Sequence, residues 1–280
     1  MDLTLKGKAV GHAMQFESIY DYSEQYKVIG NPTVWKYMGL KKFESLLKNK
    51  AMFFAKPSAF EDNLEGSYSF WDIEEYEAEG ELPFITSREY MKKVQEFSAI
   101  SCWHINNFES AAMWDLYLGG KDGIAIKTNY ANLYNSITDL KYRVFSGRLQ
   151  YIDFNKEMTS RNIYDTLFYK RKSFSHENEL RLMIIASRID ERYLERFFER
   201  QGIHIDLWEE RMEELEKKSY EFAHEKGTFV SCELDKLIDK IYVSPRSSQE
   251  VVDEVTEMVT KYGLSRDKVI QSDLYEDFIY

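Results

Sequence analysis

Apolar residues along this chain change period repeatedly, and the changes predict its elements. VWKYM reads as a short strand. LKKFESLLKNK puts Leu40, Phe43, Leu46 and Leu47 at helical spacing, so an amphipathic helix follows. AMFFA is a short apolar strand, and KPSAFEDNLEGS is a turn-rich loop. FSAISCWHI is the next strand. SAAMWDLYL predicts a helix with Ser110 as N-cap and an end at Gly119 and Gly120. GIAIKT is a strand, and RVFSGRLQYID alternates as another strand. NKEMTSRNIYDTLFYKRK suits a helix. ENELRLMIIAS is the clearest long strand. LIDKIYVSP, SSQEVVDEVTEMVTKYG and KVIQS close the chain as strand, helix and strand.

Three regions carry weaker patterns. Residues 1–30 are polar and tyrosine-bearing and predict one helix before Gly30-Asn31-Pro32. Residues 67–96 read as an acidic insertion with a helix. Residues 188–227 are dense in charge and read as a helical insertion with a solvated face. No internal repeat and no linker forces a second domain, so residues 1–280 are read as one domain. The expected fold is α+β. It has a mixed, mostly antiparallel sheet, outer helices and two helical insertions. Trp35, Phe53, Phe54, Trp103, Ile124, Ile126, Leu182 and Ile184 are its expected core.

Composition narrows the function classes. The hydrophobic fraction of 44% is enough for a full core, and only four prolines argue against low complexity. A net charge of -11 disfavours loose electrostatic binding to nucleic acid or an anionic membrane. Two cysteines, Cys102 and Cys232, make no disulfide framework and no CxxC pair. No run approaches the roughly 20 apolar residues of a membrane span. The N-terminus lacks an apolar stretch long enough for a signal peptide. A cytoplasmic protein with no membrane partner is the expectation.

Candidate chemistry centres on two stretches. In SCWHI a strand puts Cys102 and His104 on one face and Ser101 and Trp103 on the other. Neighbours at i and i+2 stand side by side, so a buried structural cysteine is a better reading than a Cys-His nucleophile. The histidines show no ligand spacing, and no metal is expected. Met113, Trp114 and Tyr117 fit core packing as well as pocket lining. In ENELR a strand puts Glu177, Glu179 and Arg181 on one face. That face is either a solvated ladder or the floor of a cleft, because burying three charges is costly unless they pair. Lys36, Asp62, Glu65 and Arg171 are candidates to join it.

The order VWKYM, AMFFAKPSAFEDNLEGS, ISCWH, SAAMWDLYLGGKDGIAI, KSFSHENELRLMI resembles the prokaryotic domain-of-unknown-function family 2971 over residues 33–187. That family shows a basic-Tyr pair on its first strand and a Phe-Asn-Asp-Pro-x-Glu-like loop. A Ser-Phe-Ser-like strand, a Met-Trp-x-x-Tyr helix and a Phe-x-x-Glu-x-Glu-x-Arg strand follow. This chain departs in its FEDNLE loop and in SCW, where Trp103 stands at a position usually hydroxyl-bearing.

The motif order is also similar, by analogy, to the ADP-ribosyltransferase-like superfamily, which implies NAD as substrate. On that resemblance Glu179 is the carboxylate that stabilises an oxocarbenium-like ribose, and Glu177 assists the acceptor. Lys36 and Arg181 would hold phosphate or ribose. Tyr37, Trp114 or Tyr117 would stack on nicotinamide, and Ser101 is the polar residue of the middle strand. Two other readings stay open. One is a binding module without turnover, for a small ligand or a protein. The other is a nuclease in which Glu65 or Asp62 joins Glu177 and Glu179 on Mg²⁺. The acceptor, whether protein, nucleic acid or small molecule, is left open. A toxin or phage-defence role would suit a prokaryotic effector, but no residue argues for it.

Overall fold

The computed structural model describes residues 13–15, 26–78, 88–139, 142, 144–159, 163–185, 222 and 225–276. The strands are β1 (Ala13–Gln15), β2 (Thr33–Gly39), β3 (Ala51–Ala55), β4 (Ser98–Ile105), β5 (Gly123–Asn129) and β6 (Val144–Arg148). They continue with β7 (Gln150–Ile152), β8 (Tyr169–Arg171), β9 (Glu179–Ile185), β10 (Gly227–Ser231), β11 (Lys240–Val243) and β12 (Val269–Gln271). The helices are α1 (Leu40–Asn49), α2 (Phe70–Ala78), α3 (Arg88–Glu96), α4 (Ala111–Leu118), α5 (Tyr130–Ser136), α6 (Leu234–Leu237) and α7 (Gln249–Lys261).

One mixed sheet runs β1-β6-β9-β4-β2-β5-β11-β12, with β3 bonded to β4 and β10 bonded to β3. Its end pairs β1–β6 and β11–β12 are parallel, and the other ladders are antiparallel. The α+β architecture with a mostly antiparallel mixed sheet therefore holds. β7 and β8 form a separate small parallel pair.

The helices form where the apolar spacing predicts. α1 buries Phe43, Leu46 and Leu47 and ends on Lys50 in the left-handed region, φ 46°. In α4 the Ser110 hydroxyl accepts from the Met113 N–H, and Gly119 ends the helix at φ 55°, where a Cβ would be strained. The acidic insertion contains two helices, α2 and α3, where one was expected. Asp72 docks α2: it accepts from Ser69 N and Oγ, and from Thr159 N and Oγ1.

The two faces of the sheet differ. On the first, α1, α5, α6 and α7 bury one large cluster that includes Val34, Phe54, Trp103, Ile126, Leu182 and Ile184. The second face carries two smaller clusters. One gathers Ile100, Phe145, Phe154, Leu167, Phe168 and Met183. The other gathers Trp35, Tyr37, Met113, Trp114 and Leu118 under α4. A polar seam lies between them.

Four expectations fail, each for a physical reason. Phe53 is 43% exposed, because alternation along β3 turns it away from buried Met52 and Phe54; it pairs with Phe229 instead. The helix expected over residues 155–172 does not form at its described residues, 155–159 and 163–172. A 3-10 segment, Ile163–Phe168, leads into β8, and Leu167, Phe168, Tyr169 and Lys170 are consecutively buried, a pattern no one-sided helix provides. Gly147 permits this crossing: a Cβ there would lie 2.6 Å from the Phe168 ring. RVFSGRLQYID forms two strands, β6 and β7, rather than one. Ala13–Gln15 is a strand paired with β6, not helix. Almost all of the insertion expected at 188–227 lies outside the described residues.

Candidate functional site

Strand parity and register build the seam. Cys102 faces Arg181 and His104 faces Glu179 across the β4–β9 ladder, so these four side chains share the second face. Tyr37 reaches the same face from β2, its ring 6.5 Å from that of His104. The same parity sends Lys36 and Ser101 to the first face.

Lys36 has a structural task there. The far edge of β4 is divided between two partners: β2 pairs with His104 and Ile105, and β3 pairs with Ile100. Ser101, Cys102 and Trp103 lie between these junctions. Lys36 Nζ fills the gap, donating to the Cys102 carbonyl at 2.9 Å and to Ser101 Oγ at 3.2 Å. It also lies 5.4 Å from the Trp103 ring centroid. Burial lowers its pKa, with the opposing influence of Cys102 too weak to restore it.

Glu177 does not continue the strand. A 3-10 segment, Lys172–Glu177, ends at Asn178 with φ 39°, and β9 begins only at Glu179. The Glu177 carboxylate nevertheless returns to Glu179 through Lys170. Lys170 Nζ stands at the meeting point of three carboxylates, at 3.0 Å from Glu65, 2.9 Å from Glu177 and 2.9 Å from Glu179. Arg181 completes the network. Its Nε donates to Glu179 Oε2 at 2.9 Å, Nη1 to the Leu167 carbonyl at 2.7 Å and Nη2 to Glu65 Oε2 at 2.5 Å. Arg181 is wholly buried, so ENELR is neither a solvated ladder nor an open cleft floor. Beside it, Arg171 pairs with buried Asp62 at 2.7 Å.

The charges do not balance within the network: Glu65, Glu177 and Glu179 meet Lys170 and Arg181. Burial opposes ionisation of Glu179, but Arg181 and Lys170 outweigh it and hold the carboxyl well below its ordinary value. Burial and the hydrogen bond shared with Glu179 push Glu177 up to about 7. The proton-accepting capacity left over therefore resides on Glu177. Its side chain is 10% exposed, against 4% for Glu179 and 2% for Glu65. Glu177 is thus the edge of the network nearest to solvent.

His104 and Tyr117 complete that edge. The His104 Nδ1 lies 2.6 Å from the Glu177 carbonyl, an acceptor, so Nδ1 carries the proton. Nε2 is then a bare lone pair, buried and without a hydrogen-bond partner among the described residues. Burial lowers the imidazole pKa, only partly offset by the Glu177 carbonyl. Tyr117 is 48% exposed, yet its ring stacks on Tyr37 at 15° between planes. Burial of its hydroxyl, with Cys102, Glu179 and Glu177 nearby, raises its pKa. Trp114 packs edge-on against Tyr37 and donates its Nε1 to Glu109 at 2.8 Å.

Of the residues singled out from sequence, the structure brings together Glu177, Glu179, Arg181, Tyr37 and Tyr117. Trp114 is packed behind Tyr37, and Lys36 and Ser101 belong to the opposite face. Sequence reading missed Lys170 as the hub, since it lies in a segment expected to be helix. It also set His104 aside, because its orientation depends on a carbonyl far away in sequence. Among the described residues no cluster of His, Cys, Asp and Glu is arranged to hold a metal ion. An ammonium stands where the carboxylates converge. No described helix is long and apolar enough to cross a membrane. No family model, curated protein or solved structure matches the chain.

Proposed function

We propose that the seam acts on a ribosyl substrate of the NAD class, with Glu177 rather than Glu179 as the working carboxylate. The observation that carries this reading is the charge excess of the buried network, which leaves Glu177 at the solvent edge with a pKa of about 7. Glu179 accepts from two cations, Lys170 and Arg181, whereas both Glu177 oxygens accept from Lys170 alone, so Glu179 serves to position Glu177. In transfer, the bond between ribose and nicotinamide breaks and its electron pair leaves with nicotinamide. Ionised Glu177 stabilises the positive charge that develops on the ribose, or takes the proton of the attacking acceptor. Tyr117, exposed and backed by Tyr37, offers a stacking face.

The test is nicotinamide release from NAD by the wild type and Glu177→Gln, in EDTA and in Mg²⁺, with and without cell extract. EDTA-resistant release that disappears in a folded Glu177→Gln protein supports the reading. Release at the wild-type rate in that variant, or none from the wild type under any condition, defeats it.

A binding module is the second reading. Its support is that each nitrogen of the Arg181 guanidinium already donates to a protein acceptor, so the seam is assembled before any ligand arrives. Saturable NAD binding with no turnover would distinguish it.

A further inference from the structure

A pocket of about 250 Å³ opens on the same sheet face as the seam and uses none of the seam residues. Its floor is buried Trp35, held by an Nε1–H bond to the Asn106 carbonyl at 2.8 Å. Tyr242 meets that indole edge-on at 5.1 Å, and Phe108, 77% exposed, lines the pocket beside them.

The polar lining is made mostly of acceptors. Glu109 Oε2 is pinned by Trp114 Nε1 at 2.8 Å and Ser272 Oγ at 2.6 Å. These two donors fix the carboxylate while Oε1 has no donor among the described residues. Gln271 Nε2 donates to the carbonyls of Ser244, at 3.0 Å, and Ser272, at 3.4 Å. Two carbonyl partners settle which end of the amide is nitrogen, so Oε1 is the other end. That oxygen is buried and has no donor among the described residues. Asp273 adds a second, exposed carboxylate. Lys127 is the cation among the lining residues, and its ammonium already lies 5.6 Å from the Trp35 ring centroid. The lining thus sets one ammonium against two carboxylates.

We infer that this pocket binds a small primary ammonium compound. Its N–H groups meet Glu109 Oε1 and Asp273, and its carbon body lies against Trp35 and Tyr242. The inference is independent of any chemistry at Glu177.

Titrations of the full chain with n-butylammonium, tetramethylammonium and butyrate, each followed by ligand-observed NMR, test it. The expected result is saturable binding of n-butylammonium and none of butyrate. Tetramethylammonium, which has no N–H to give, should bind about tenfold more weakly. Glu109→Gln and Asp273→Asn should each weaken n-butylammonium, by about fivefold or more. Glu177→Gln should leave it unchanged. Asp273→Asn alters an exposed side chain, so its reading stands even if Glu109→Gln misfolds. The inference falls if butyrate binds as well as n-butylammonium, or if tetramethylammonium matches it. It also falls if neither variant weakens binding, or if no saturable binding occurs.

Discussion

Arg181 Nη2 meets Glu65 Oε2 at 2.5 Å across 116 residues of sequence, and both side chains are buried. The loop after β3 is thereby tied to the central strand β9 through charge. Removing one of its two cations leaves buried carboxylates uncompensated, at a cost of about 3–5 kcal/mol. Arg181→Met keeps a long side chain but takes the guanidinium from both Glu65 and Glu179. Its unfolding free energy from urea titration should fall by that amount, and an unchanged value would mean that the network does not hold the fold.

Glu177 should behave in the opposite sense. Its folded pKa, about 7, lies above the ordinary carboxylate value. Its contribution to stability is therefore fully present below the unfolded pKa and is lost as pH rises through about 7. Glu177→Gln removes that loss. Thermal melts should show the variant more stable than the wild type at about pH 8, with the two converging near the unfolded pKa of about 4.3. A difference that does not change with pH would overturn the assignment of the excess charge to Glu177.

Lys36 should matter for stability rather than for ligands. Lys36→Ala leaves the Cys102 carbonyl without its donor and should cost about 1–3 kcal/mol in urea. NAD binding by the folded variant should match the wild type. A stable variant that no longer binds would return Lys36 to the site.

Neither cysteine should react quickly in the folded protein. Burial pushes Cys232 up to about 12, and burial together with Glu179 raises Cys102 well above its ordinary value. Iodoacetamide at neutral pH should label both only after unfolding. Rapid native labelling of Cys102, or a folded but inactive Cys102→Ser protein, would revive the Cys-His pair.

What could be read from sequence follows from how local each feature is. β2, α1, β3, β4, α4, β5, β9 and α7 announce themselves because one face of each meets one core, and that writes a period into the chain. Residues 165–170 do not, because they are consecutively buried. Period two alone separates Lys36 from Tyr37, so that division was available from sequence. The left-handed turn at Asn178 was not, and it is what moves Glu177 off the strand. Charge pairing was legible as a requirement, since three like-facing charges in an apolar strand need partners. The partners Glu65 and Lys170 come from distant segments and have no local signal. His104 is the same case, because its bare nitrogen is defined by the carbonyl of Glu177.

The ladder between β4 and β9 also sets a clock. Ser98 pairs with Ile185 and His104 with Glu179, so β4 waits for β9 to be synthesised. At roughly 5–20 residues per second, that wait is about 4–16 s. During it Arg181 does not yet exist, Glu65 has no guanidinium to meet, and the apolar side chains Ile100 and Trp103 lack their neighbouring strand. The nascent chain is stickiest in this interval, and a ribosome paused between these strands would expose an unfinished hydrophobic edge to aggregation and to chaperones.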